Sequence, residues 1–281
     1  LDNLPHDWLG AALRSVQDRE IADKSSSKQL NISGIGIPGS LMGSLDITAD
    51  AVLYRSQAVR DVKISLGVAN QVVSMKEISA LFPGGSDVTV FGSLGFSDGV
   101  PHFIGQISAG SDNLRALLKW MEFDIDGIPA ERLRRINLSA LIDGTPASGM
   151  VTEIDLLFDA SHLTGGVAYA ISGSRPGFGI GIQVDQLNLD AYFPEVAVEP
   201  QPSGDKSSAL NESRDQRWFS NEAMIQFLGG FDADFDIRLD NLTVHKTPVR
   251  GLVLDGLLQR NTLNVRQVNI GDLSGATMNL S

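Results

Sequence analysis

Phe231-Asp232-Ala233-Asp234-Phe235-Asp236-Ile237-Arg238-Leu239-Asp240 alternates without a break, every odd residue apolar and every even one charged. In an extended chain successive side chains point to opposite faces, so this stretch is a strand with one dry face and one wet face. Strands of that kind belong to antiparallel sheets with one face in water. Leu45-Asp46-Ile47-Thr48-Ala49-Asp50-Ala51 repeats the pattern, and Asn31 to Ile37 follows it more loosely. Turn signals at Ala69-Asn70-Gln71, Ser97-Asp98-Gly99, Asp143-Gly144, Thr164-Gly165-Gly166, Ser174-Arg175-Pro176-Gly177 and Arg260-Asn261 separate such strands at hairpin spacing. The expected topology is a meander of hairpins.

Two stretches match at a constant offset of 190 residues, the distance from Asp46 to Asp236. Asp46-Ile47 falls on Asp236-Ile237, Asp50 on Asp240, Val59-Arg60 on Val249-Arg250 and Gly85 on Gly275. Between these identities apolar falls on apolar without a gap. The repeated unit reads as four strands, and Ile136 to Tyr192 has a similar rhythm. Such units stack by addition into an elongated sheet. The expected fold is therefore mainly β: an elongated, twisted antiparallel sheet of four-strand meander units with short connecting helices. Those helices are expected near 7–17, 111–121 and 129–134, with a further one over Trp218 to Leu228 ending at Gly229-Gly230. Residues 195–216 are rich in Pro, Ser, Glu and Asp and poor in large apolar groups, as a linker is. The chain then divides into repeated β units over 1–194, a linker over 195–216, and a helix with a further β repeat over 217–281.

The 281 residues carry 22 Lys+Arg against 34 Asp+Glu, a formal net charge of −12. With a pI near 4.7 and no basic patch, a nucleic-acid partner is excluded. At 42% hydrophobic residues the chain can build a core. No apolar run approaches the ~18 residues that span a bilayer as a helix. Cysteine is absent, which excludes disulfides, thiolate metal sites and cysteine nucleophiles.

Other chemistry is thinly represented. Asp232, Asp234, Asp236 and Asp240 lie on one strand face, spaced too widely to share one ion without a loop, so they read as a wet face and not a calcium site. His6, His102, His162 and His245 have no metal-ligand spacing. Gly177-Phe178-Gly179-Ile180-Gly181-Ile182 lacks the Lys-Ser/Thr of a phosphate loop and reads as a strand that lets another backbone approach. No Gly-x-Ser-x-Gly elbow and no evident carboxylate pair marks an enzyme. The expectation is a non-enzymatic protein with no cofactor and no metal.

Three stretches resemble the AsmA family of bacterial envelope proteins. The first is Glu77 to Gly85 followed by Phe91-Gly92-Ser93-Leu94-Gly95. The second is Val184 to Pro194. The third is Asp232 to Leu242, then Val249-Arg250-Gly251 and Asp272-Leu273-Ser274-Gly275-Ala276. They are spread over most of the chain, from Glu77 to Ala276, at structural and not catalytic positions. The resemblance implies a periplasmic protein anchored to the inner membrane and linked to outer-membrane biogenesis and lipid homeostasis. It further implies a taco-like β-groove that shields phospholipid acyl chains. Membrane contact would come through an anchor segment missing from this chain, which reads as an interior fragment. The expected partners are phospholipid and outer-membrane protein clients. The groove candidates are Ile47, Ile64, Leu66, Ile237, Leu239, Leu252 and Leu254. An apolar strand face must be covered by something. A second sheet closing a core and a lipid in a groove leave the same pattern in the sequence. The alternative reading is accordingly an assembly module for outer-membrane proteins, with a closed core and an exposed sheet edge for strand addition.

Overall fold

The computed structural model describes residues 40–171, 175–192, 230–273 and 275–280. Among them thirteen strands form one open sheet, arranged side by side in sequence order. They are β1 (Gly43–Tyr54), β2 (Gln57–Ala69), β3 (Val72–Phe82), β4 (Ser86–Ser97), β5 (Val100–Ser111), β6 (Ile136–Gly144) and β7 (Ser148–Phe158). The second half comprises β8 (Ser161–Ala170), β9 (Gly177–Asn188), β10 (Asp232–Val244), β11 (Thr247–Gln259), β12 (Thr262–Leu273) and β13 (Ala276–Leu280). At about 4.8 Å between neighbours the sheet extends roughly 58 Å across its strands. It is the elongated, mainly β meander expected from the alternation.

One pair departs from the antiparallel pattern. β9 and β10 run parallel, with Ile180 beside Phe235 and Ile182 beside Ile237. A parallel pair needs a connection of a dozen residues or more, and residues 189–231 supply that length. Because β10 adds directly to β9, the stretches on either side of 195–216 belong to the same sheet. The helices expected near 7–17 and 218–228, and the 195–216 linker itself, lie outside the described residues.

The repeat holds down to the register. Ile47 faces Ile64 across β1–β2, and 190 residues on Ile237 faces Leu254 across β10–β11. The β2–β3 bulge falls between Ser65 and Leu66, and the β11–β12 bulge between Asp255 and Gly256, at the same offset. The two-residue turns match as well. Arg55 and Ser56 have φ of 47° and 61°, and His245 and Lys246 have 49° and 59°. Asn70-Gln71 and Arg260-Asn261 are likewise both left-handed. Two successive left-handed residues make the tight turn whose twist suits a hairpin.

Several turn and helix expectations need correction. Thr164-Gly165-Gly166 is not a turn but the interior of β8. Gly165 has φ of 152°, and a Cβ there would lie 2.1 Å from the Gly181 carbonyl oxygen on β9, so glycine is needed for close approach. β6 runs through Gly144, and the turn follows at residues 145–147, where the Thr145 hydroxyl accepts from the Ala147 and Ser148 N–H groups. The helix expected near 111–121 forms as α1 (Leu114–Trp120), starting after residue 111, with Asn113 as its cap, whose side chain accepts from Ala116 N–H. Ser111 hydrogen-bonds Ser86 in a buried pair 2.7 Å apart. Residues 129–134 form a turn and no helix. Arg115 draws the Ile128 and Pro129 carbonyls to its guanidinium, and the chain turns left-handed at Leu133.

The compact core lies at one margin of the sheet. Leu114, Ile125 and Leu133 are buried there against Ile136, Phe158 and Tyr192. Asp159, in the β7–β8 turn, binds this margin together: its carboxylate accepts from the N–H groups of Leu133, Arg134 and Arg135 and from the Tyr192 hydroxyl at 2.8–3.1 Å. Burial raises its pKa, but these four donors outweigh that and hold the acid below its ordinary 3.8. Burial, and next the bond to Asp159, push Tyr192 up to about 12. A folded-state value below the unfolded one means stability present above pH 3.8 and lost as pH falls through the folded value. Asp159→Asn is expected to lower stability at neutral pH and to flatten its fall below about pH 4, measured by urea unfolding across pH 7 to 3. An unchanged acid limb would show that the carboxylate does not link folding to protons.

Candidate functional site

Cross-strand partners in a sheet share a face, so the registers alone say which residues lie together. One unbroken row of partners crosses all thirteen strands: Thr48, Lys63, Ser79, Thr89, Ser108, Ser139 and Asp155, then Thr164, Gln183, Arg238, Val253, Asn269 and Asn279. All but Val253 are polar. The residues one step along each strand make the opposite face. There Ile47, Ile64, Ile78, Val90, Ile107 and Ala140 stand side by side across β1 to β6. Two residues back along β6, Leu138 continues the line through Leu156, Leu163, Val184, Leu239, Leu252, Ile270 and Met278. The sheet therefore has a polar side and an apolar side along its whole length.

All seven groove candidates lie on the apolar side. Ile47 faces Ile64 and Leu66 faces Leu45, whereas Ile237 faces Leu254 and Leu239 faces Leu252. The two groups are seven strands apart (β3 to β9), and sequence reasoning missed what joins them. Ile78, Val90, Ile107, Leu138, Leu156, Leu163 and Val184 form that bridge. Their strands alternate too, but bulges shift the parity within β3 and β7, which hides the common face from a residue count.

No second sheet covers the apolar side among the described residues. Helix α1 and the loop after it pack over only one margin, near Ile136 and Phe158. Ile64, Leu66, Ile237, Leu239, Leu252 and Leu254 are half-buried. At the two outer strands exposure rises: Ile47 is 44% and Leu45 50% exposed on β1, and Met278 51% and Leu280 57% on β13. A closed sandwich would bury these positions almost completely. The polar side carries only scattered exposed apolar groups, such as Phe91, Ile104 and Leu157.

Ion pairs lace the polar side. Arg266 is the extra residue of the β12 bulge, and its guanidinium holds Asp255 on β11 and Asp234 on β10. The hydrogen bond that Arg266 donates to Asp234 is the largest influence on its pKa and raises it above the ordinary arginine value. Asp236 pairs with Arg238, and Asp232 accepts from Arg175 and from the Arg260 N–H. On the acidic strand Asp232, Asp234 and Asp236 are thus engaged by arginines. His102 pairs with Asp143 at 2.6 Å and His162 with Asp155 at 3.1 Å. Among the described residues no group of three or more acidic or histidine side chains could hold a metal ion. No described helix is long and apolar enough to cross a membrane.

Family models, curated proteins and solved structures offer no match to this chain.

Proposed function

We propose that this chain is a non-enzymatic envelope protein of the AsmA type that shields phospholipid acyl chains on its apolar sheet face. In this reading it works in the periplasm, anchored to the inner membrane, and supports outer-membrane biogenesis and lipid homeostasis. The supporting observation is the apolar row that runs through all thirteen strands with no second sheet upon it among the described residues. Water contact along such a face is costly, and each acyl CH₂ removed from water contributes about 0.8 kcal/mol. Headgroups would stay in water at the margins. The row is apolar on every strand, so an acyl chain can follow it from one strand to the next.

Organic extraction of protein purified from bacterial membranes, followed by mass spectrometry, tests the reading. Phospholipid in stoichiometric amounts is the expected result. A lipid-free protein of full stability would transfer the case to the closed-core assembly module.

A further inference from the structure

We propose that the outer edge of β1 is a docking site for a strand of a separate polypeptide, running parallel to β1, apolar at alternate positions and followed at once by an aspartate. The structure holds its own pattern for this occupant. β10 is the repeat equivalent of β1 at the offset of 190, and its outer edge is taken by the parallel strand β9. Ile180 lies beside Phe235, Ile182 beside Ile237 and Leu187 beside Leu242. The same register on β1 sets three apolar residues beside Leu45, Ile47 and Val52. Those three are 50%, 44% and 45% exposed, and no described strand lies on the outer side of β1.

The turn after the strand carries a second, independent mark. Past β9 the chain enters a short 3-10 turn (Leu189–Ala191), and the Asp190 carboxylate accepts from the His245 and Lys246 N–H groups, both at 2.7 Å. Those N–H groups form the left-handed turn between β10 and β11. Successive left-handed residues aim their N–H groups into one concavity that favours an anion. Arg55 and Ser56 repeat that geometry between β1 and β2, within 2° in each φ. Among the described residues no carboxylate reaches their N–H groups. The β1 edge thus presents the backbone ladder and the turn that β9 and Asp190 satisfy at β10. Strand addition supplies affinity through main-chain hydrogen bonds and specificity through alternate side chains. A second copy of this chain fits less well. Two β1 strands about a two-fold axis would run antiparallel and bring no aspartate to the turn. The inference uses backbone geometry and is separate from the lipid reading.

The test uses a labelled synthetic peptide with the sequence of residues 177–192, carrying a photoreactive residue in place of Ile182, titrated against the full chain. Saturable binding is expected, with crosslinks on β1 centred on Ile47. The peptide's Asp190→Ala variant should bind roughly tenfold more weakly. N-methylation at alternate backbone positions should abolish binding in one parity and spare it in the other. Failure to bind at millimolar peptide would overturn the proposal. So would crosslinks on β10, equal binding of the reversed sequence, or self-association of the chain through β1. Each of these outcomes leaves the lipid measurement untouched.

Discussion

Replacing Ile237 with aspartate is expected to strip the protein of phospholipid while the sheet stays folded. Ile237 sits on β10 between Ile182 of β9 and Leu254 of β11, in the second half of the apolar face. It is half-buried, so its carboxylate would keep contact with water in the lipid-free protein. The stability lost is then mainly the apolar contact of the isoleucine side chain, about 1–2 kcal/mol, or a few degrees in Tm for a chain this size. Against an acyl chain the same carboxylate must shed its water, and an unpaired charge in an apolar contact costs far more than that contact returns. Lipid should fall to a small fraction of the wild-type load. Thr89→Asp is the matched control: Thr89 lies on the polar row between Ser79 and Ser108, and its charge should leave the lipid load unchanged. Were Ile237 part of a closed core, Ile237→Asp would cost 4 kcal/mol or more and the protein would unfold or aggregate. Lipid content and Tm together thus separate an open face from a closed one.

How much of this was legible in the sequence depends on how far each feature reaches. The Phe231–Asp240 alternation is local, and it announced both the strand and its two faces. The offset of 190 is a property of the chain, and it carried through to register, bulge and turn. Where distant groups decide, the reading failed. Nothing local marks Arg55-Ser56 or His245-Lys246 as turns, since these residues seldom take left-handed conformations, and the second pair is held by Asp190 from the 3-10 turn after β9. Helix α1 starts after the expected residue 111, and Ser111 is committed to Ser86, 25 positions away. The parallel β9–β10 pair follows from the length of its connection, which alternation does not encode. The seven groove candidates shared the apolar side, but the strands that join them were obscured by bulges at β3 and β7.

Gly165 is where that long-range dependence should produce the largest loss of stability. Gly165-Gly166 reads as a turn, yet Gly165 is held inside β8 between Ile154 of β7 and Ile182 of β9. Its φ of 152° is one that an L residue rarely adopts. An added Cβ would meet the Gly181 carbonyl oxygen at 2.1 Å and the Ile182 Cα at 2.9 Å. Both obstacles are backbone of the neighbouring strand, so no side-chain rotation relieves them. β8 and β9 would have to separate, and the next pair outward is the parallel junction on which β10 to β13 depend. Gly165→Ala is expected to destabilise by about 3 kcal/mol or more. Gly95→Ala on β4, where a Cβ meets nothing within 4 Å, should lie within about 0.5 kcal/mol of the wild type or slightly above it. Urea unfolding of the two variants compares an alanine that strikes backbone with one that does not. Equal midpoints would mean that β8 and β9 do not approach as closely as this register requires, and the junction that carries the second repeat would have to be held by something other than that contact.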